Sequence, residues 1–288
     1  MQYHSEMARD AAPIGLIAGG GRLPLLEAQG IRAAGRRVVC LGLADQYDAD
    51  LPQHCDAFGE AGVVRLGRWI RLLRRWGASE AVMVGYVRKA RMYEPLRLLH
   101  QMPDRRAAWL WYRVLRHDKR NQTLLGALAD ELHRNGIELI DTTRYITEHM
   151  AGEGVLTRCQ PTSGQWADIR FAWPVLMRMN DLDIGQAVAV KERDVIAVEA
   201  IEGTDAMIER AGQLCRSGGW VLAKGARPSK DLRFDVPTVG EQTVENVKRA
   251  GGACIVLTAG QVILADKPAV IAAADRLRIP IVGMAADT

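Results

Sequence analysis

The chain has 288 residues, 48% of them apolar and 25% charged, and its 38 basic residues against 34 acidic ones leave a formal net charge of +4. That is the composition of an ordinary globular protein, long enough for one large domain or two of about 140 residues, and the charge is too small to argue for nucleic-acid binding. No run reaches the roughly 18 apolar residues that a membrane-spanning helix needs, and Met1 to Asp10 lacks the basic-then-apolar layout of a signal peptide, so a cytoplasmic protein is expected. Cys40, Cys55, Cys159, Cys215 and Cys254 are scattered and never form a C-x-x-C pair, which argues against a disulfide framework or a zinc knuckle.

In chain order, the apolar run Pro13 to Ala18 ends in Gly19, Gly20 and Gly21, and a helical pattern of Leu23, Leu26, Ala28 and Ile31 then runs to Gly35. Further strands at Val38 to Leu43 and Ala81 to Gly85 alternate with helices at 65 to 76 and 121 to 134, the rhythm of a parallel, Rossmann-like sheet. The pattern breaks near Met150 to Gly164, so an N-terminal domain is expected over 13–147 and a second α/β domain over 148–284. There, Thr162 and Gln165 have the spacing of a capping box opening a helix, and Gln186 to Val190 and Val195 to Ala200 read as a hairpin or as neighbouring strands. A helix after Asp205, a strand at Trp220 to Ala226, a helix capped by Thr238 and Glu241, short strands and a helix after Asp266 complete the chain.

Four constellations could carry chemistry. Backbone amides in the Gly19 to Gly21 turn could bind an anion, or the glycines could serve only the turn; with Pro24 where a dinucleotide fingerprint wants its third glycine, the nicotinamide reading is disfavoured. In Asp231 to Asp235, a two-residue period would put Asp231, Arg233 and Asp235 on one face of an extended segment. Carboxylates there could hold a divalent ion or orient water while a guanidinium offsets phosphoryl charge; the alternative is an exposed strand of paired charges. Glu202, Gly203, Thr204 and Asp205 form a turn between strand and helix, either a site or a plain N-cap. Lys224, inside an apolar strand, is either an edge-strand gatekeeper or a phosphate ligand.

All six histidines precede residue 150 without zinc-site spacing, and no G-x-S-x-G occurs, so neither a zinc site nor a covalent serine hydrolase is expected. Two basic stretches, Arg65 to Trp76 and Arg105 to Arg120 with Trp109, Trp111 and Tyr112, suit either an anionic membrane surface or ordinary surface helices.

Taken together, the chain resembles the UDP-2,3-diacylglucosamine pyrophosphatases of the lipid A pathway, of the type unrelated to metallophosphoesterases, over about 13 to 284. The resemblance is carried by Gly15 to Gly21 with Leu23 and Pro24, Leu182 to Gln186, Ala197 to Ala206, Lys224, Arg233 to Gly240 and Ala272 to Asp275. It implies two α/β domains with the substrate between them, Mg²⁺-dependent hydrolysis of a lipid-linked UDP-sugar to UMP and 2,3-diacylglucosamine 1-phosphate, and a homodimer. Asp235 falls on the family's essential aspartate, as catalytic residue and metal ligand, with Asp231, Arg233 and Lys224 beside it. Gly19, Gly20, Gly21, Glu202, Gly203, Thr204, Asp205 and Thr238 are the implied substrate contacts. Two departures stand out: Arg120, Asn121 and Gln122 replace a Gly-Asp-Asp, and Thr258 stands where many relatives carry Glu. The first favours the rival reading of a non-catalytic nucleotide-sugar or lipid-binding protein; a hydrolase or transferase of a related sugar nucleotide is a second rival.

Overall fold

The computed structural model describes residues 12–87, 103–110, 112, 113, 116, 121–226, 231–233 and 236–286. They fall into two compact units, the first running to Ile146 and taking in Asp231 to Arg233, the second holding the remainder.

The first unit is built on a five-stranded parallel sheet of β1 (Ile14–Ala18), β2 (Val38–Leu43), β3 (Ala57–Ala61), β4 (Glu80–Val84) and β5 (Glu138–Leu139), in the order β3-β2-β1-β4-β5. Strands buried on both faces read as unbroken apolar runs, and every residue of β1 and β2 is buried. Their two-residue alternation splits the core. Leu16, Val38 and Cys40 pack with Ala28 and Ile31 of α1 (Leu23–Ala33), whereas Ile17, Val39 and Leu41 pack with Trp69, Ile70 and Leu73 of α2 (Leu66–Arg75). The remaining helices are α3 (Arg105–Leu110) and α4 (Asn121–Arg134). Since the chain leaves β1 toward β2 and β3 and returns to β4 on the other side, the strand order reverses between β1 and β4. Ligands of open α/β sheets sit beyond the strand ends at such a point.

The second unit has a six-stranded sheet in the order β6-β13-β11-β9-β7-β8. Its strands are β6 (Gly154–Val155), β7 (Ala187–Lys191), β8 (Asp194–Val198), β9 (Trp220–Lys224), β11 (Gly252–Thr258) and β13 (Ile281–Met284). β9, β11 and β13 run parallel, whereas β7 is antiparallel to both β8 and β9. A parallel pair, β10 (Thr238–Val239) with β12 (Ile263–Leu264), stands apart. One face is covered by α5 (Ser163–Asp181) through Ile169, Ala172, Trp173 and Leu176. The other is covered by α6 (Thr204–Leu214), α7 (Glu241–Arg249) and α8 (Lys267–Leu277) through Met207, Val244, Val247 and Val270.

The capping box at α5 is present in full: Gln165 N donates to Thr162 Oγ1 at 3.2 Å and Thr162 N to Gln165 Oε1 at 2.9 Å. The one expected at Thr238 is absent. Helix α7 opens at Glu241 behind Gly240, and Thr238 lies in β10 with its hydroxyl donating to Val236 O. The pairing with β12 claims these backbone groups for a strand, which sequence spacing alone does not reveal.

The two runs after residue 186 form a hairpin whose turn residues Glu192 and Arg193 have φ of 53° and 61°. A two-residue turn between twisted strands demands that region, although glycine or asparagine usually fills it. Arg193 is held there by its N–H, which donates at 2.8 Å to Oδ1 of the buried Asp168 on α5. Asp168→Ala should therefore lower the stability of this unit by about 1.5–3 kcal/mol, the range for a hydrogen bond to a charged acceptor. Urea unfolding of the two proteins measures it, and a difference under about 0.5 kcal/mol would contradict the account.

Candidate functional site

A polar cluster in the second unit gathers at the end of β9. Lys224, 7% exposed, is the last residue of this strand, which lies between β11 and β7, so the edge-strand gatekeeper reading is removed. Its Nζ donates to Thr204 Oγ1 at 2.8 Å, and Thr204 Oγ1 in turn donates to Glu199 Oε1 at 2.9 Å. Thr204 opens α6 behind Gly203, whose φ of 85° is one that glycine adopts without strain. The positive end of a helix and a buried ammonium thus lie together at the sheet's carboxyl edge. Glu202 pairs with Arg210 and accepts from Ala200 N at 3.2 Å; its own backbone N–H and then Arg210 hold its carboxyl below the usual carboxylate value. Asp205 Oδ1 accepts from Asn246 Nδ2 at 2.9 Å. The structure therefore brings Lys224, Glu202, Gly203, Thr204 and Asp205 to one strand-to-helix turn, and it adds Glu199 and Gln186, whose N–H donates to Glu199 Oε2 at 3.3 Å. Sequence reasoning missed Glu199 as a side-chain partner and Gln186 as its backbone donor, since only the β7–β8 pairing places them side by side.

In the first unit the glycine turn lies at the switch point between β1 and β4. Gly19 N donates to Val84 O and Gly20 N to Tyr86 O, both at 2.8 Å, while Tyr86 N donates back to Gly20 O. Two of the three amides are thus spent on the chain itself. A Cβ at Gly19 would lie 2.7 Å from Tyr86 O and one at Gly85 would lie 2.7 Å from Gly20 O, so glycine here allows two backbones to touch. Gly21, with φ 91°, and the first turn of α1 carry what remains of the anion-binding reading.

Asp231 and Arg233 also belong to the first unit, where Thr142 N and Oγ1 donate to Leu232 O at 3.1 and 2.8 Å. They lie in a turn, which corrects the expected extended segment: Arg233 Nε and Nη2 grip the Asp231 carboxylate at 2.9 and 2.6 Å, and Arg233 N donates to it at 3.0 Å. A two-residue loop closed by an acidic and a basic side chain competes successfully with a strand that has no neighbour to pair with. The guanidinium holds the Asp231 carboxyl below its ordinary value, and the carboxylate raises Arg233. Asp235 lies outside the described residues, as do Trp111 and Arg120.

Among the described residues no group of three or more His, Cys, Asp or Glu side chains is arranged to hold a metal. Mg²⁺ is commonly bound through one or two carboxylates together with substrate phosphates and water, so a preformed cage is not required. Of the described carboxylates named above, Glu199, Glu202 and Asp231 have both oxygens engaged and Asp205 has one.

These two α/β units, the first with the 3-2-1-4-5 order of dinucleotide-binding sheets and the second with a mixed sheet, define a two-domain α/β protein whose first sheet is doubly wound. Residues 13–149 match the model of the LpxI N-terminal domain and residues 152–282 that of the LpxI C-terminal domain. The chain is 35% identical over 280 residues, 94% of its own length and 97% of the relative's, to the UDP-2,3-diacylglucosamine pyrophosphatase LpxI of Caulobacter vibrioides. It belongs to the LpxI family.

Beside Lys224, the Gly225 backbone packs on Thr258, which is fully buried and whose Oγ1 has no partner among the described residues. A Cβ at Gly225 would lie 1.9 Å from that oxygen and 2.8 Å from Thr258 Cβ. Gly225→Ala should cost at least about 2 kcal/mol through overpacking, read from urea unfolding, and Thr258→Ala in the same chain should recover part of it. Wild-type stability in the single variant would refute this packing.

Proposed function

We propose that this chain is a UDP-2,3-diacylglucosamine pyrophosphatase of lipid A synthesis. Water adds to one phosphorus, the bridging P–O bond breaks, and UMP and 2,3-diacylglucosamine 1-phosphate leave. The observation that carries the reading is the buried Lys224 at the mouth of α6, an ammonium and a helix N-terminus joined in a chain of which 94% aligns with such an enzyme. A pyrophosphate diester carries two negative charges, and hydrolysis shifts further charge onto the bridging oxygen, so a fixed cation lowers the barrier if it meets phosphoryl oxygens there. In this reading Lys224 and Arg233 meet the phosphates, and the Gly203–Thr204 turn and Gly21 contribute backbone contacts. Thr238 and Asp205 complete the substrate contacts. Asp235 would hold Mg²⁺ or position the attacking water; a divalent cation, when bound, supplies charge neutralisation at the phosphoryl oxygens.

The same reading includes a homodimer and contact with a membrane surface, since the substrate is a lipid. For the second, the burial of the two basic stretches favours one of them as the contact. The apolar residues Leu66, Trp69, Ile70 and Leu73 of α2 are buried, so that stretch is an ordinary surface helix. At α3, by contrast, Trp109 and Tyr112 are exposed, with the guanidinium of Arg113 over the Trp109 ring at 5.2 Å and that of Arg116 over the Tyr112 ring at 4.9 Å. Aromatic rings interleaved with cations suit a headgroup region.

UMP release from UDP-2,3-diacylglucosamine by purified protein, with Mg²⁺ and with EDTA, tests the activity. Release should require the metal and vanish in Asp235→Ala, and Lys224→Met should lose roughly 100- to 1000-fold, as for removal of a preorganised charge partner. Tight substrate binding with no release would move the assignment to a binding protein. For the membrane, the protein should co-sediment with anionic vesicles at low salt and Trp109→Ala/Tyr112→Ala should not; failure of the wild type to sediment refutes the contact, and equal molar mass of monomer and particle in sedimentation equilibrium refutes the dimer.

A further inference from the structure

Glu199 is absent from the residues that the proposed activity uses, yet its carboxylate stands one hydroxyl away from Lys224. We infer that Glu199 is a positioning residue that acts through the Thr204 hydroxyl to orient Lys224 and keep it charged. This rests on the reading of Lys224 as the phosphate-facing cation.

The argument starts from desolvation. Burial in the middle of a sheet favours the neutral form of a lysine unless an opposing charge or a strong acceptor faces it. Thr204 is one such acceptor, at 2.8 Å. A hydroxyl has one hydrogen to give, and an ammonium has no lone pair to receive it. With Lys224 donating to Oγ1, the Thr204 hydrogen must therefore turn elsewhere, and Glu199 Oε1 lies at 2.9 Å. The carboxylate accepts and does not donate, so the direction runs from Lys224 through Thr204 to Glu199. Were Glu199 uncharged, the hydroxyl could rotate and its lone pair would no longer be committed to the ammonium.

The backbone around this relay is closely fixed. Glu199 N donates to Ala187 O at 2.8 Å, Gly225 N donates to Gln186 O at 2.9 Å, and a Cβ at Gly185 would stand 2.1 Å from Glu199 O. Strands β7 and β11 place Ala187 and Leu257 opposite Lys224, neither of them charged. Lys224 shares its sheet face with Trp220 and Leu222, beneath α6, α7 and α8. Of the charged groups near the ends of those helices, Glu202 pairs with Arg210, Asp205 bonds Asn246, and Glu241 and Glu245 both face Arg276.

Two measurements test the relay. In protein labelled at lysine Cε, the NMR titration midpoint of Lys224, assigned through Lys224→Met, should fall by roughly one pH unit in Glu199→Gln and in Thr204→Val, while Thr204→Ser keeps the wild-type midpoint. Unchanged midpoints in both variants overturn the inference. In turnover, Glu199→Gln and Thr204→Val should each lose roughly tenfold in kcat/KM, with the alkaline limb of the pH profile displaced to lower pH. The double variant should be no slower than Thr204→Val alone, since both break one chain; additive losses overturn the relay. If the wild type releases no UMP, the proposed activity fails, and the titration still decides the relay.

Discussion

An ammonium on a central strand must be answered by acceptors, and the carboxyl edge of the second unit is organised around that demand. Lys224 shares its sheet face with Trp220 and Leu222, both fully buried, where a charge without compensation would cost several kcal/mol. The chain answers with Thr204 at the first position of α6 and Glu199 just beyond the end of β8. That solution places constraints on its neighbours. Gly203 must take a positive φ to start the helix at Thr204, and Gly185 and Gly225 must lack side chains for the flanking backbones to close up. Removal of any one of these would be felt at the ammonium, which is why a short glycine-punctuated run in sequence carries so much structural consequence.

In the first unit, glycine has a different task. The Gly19 to Gly21 turn is where β1 leaves the sheet at the switch point, and its contacts with Gly85 and Tyr86 are backbone to backbone. A dinucleotide fold uses its first turn to offer amides to a pyrophosphate. Here the Gly19 amide continues the β1–β4 ladder to Val84 O, and the Gly20 amide closes an extra bridge to Tyr86. The fold order is that of a nucleotide-binding sheet, while the turn has been drawn inward, and these are separable properties of one motif.

Thr258, where the resemblance implies a glutamate in many relatives, has a local setting that bears on this difference. This side chain is fully buried and pressed on Gly225. A longer acidic side chain at that place could not occupy the same space, so the substitution alters packing beneath the Lys224 turn. The missing acidic group is consistent with a site whose remaining carboxylates are largely engaged in hydrogen bonds.

The sequence by itself determined the elements. The apolar runs of β1 and β2, the stripe of α2, the capping box of α5 and the two strands β7 and β8 are each encoded by neighbours within about twenty residues, because periodicity reports which face of an element meets the core. Lys224 and the Glu202 to Asp205 turn could be marked as chemistry for the same reason, since a lysine in an apolar run and a glycine before a helix are local anomalies. Tertiary structure decided the partners. Lys224 meets Thr204 across 20 residues, and Thr142 holds Leu232 across 90, drawing Asp231 and Arg233 into the first unit although the chain on either side of them belongs to the second. Strand order and the pairing of distant loops are global consequences of burying two sheets, and no local pattern specifies them. Only folding could therefore show that the carboxylate answering Lys224 is Glu199, or that Asp231 and Arg233 grip each other in a turn instead of lining a strand.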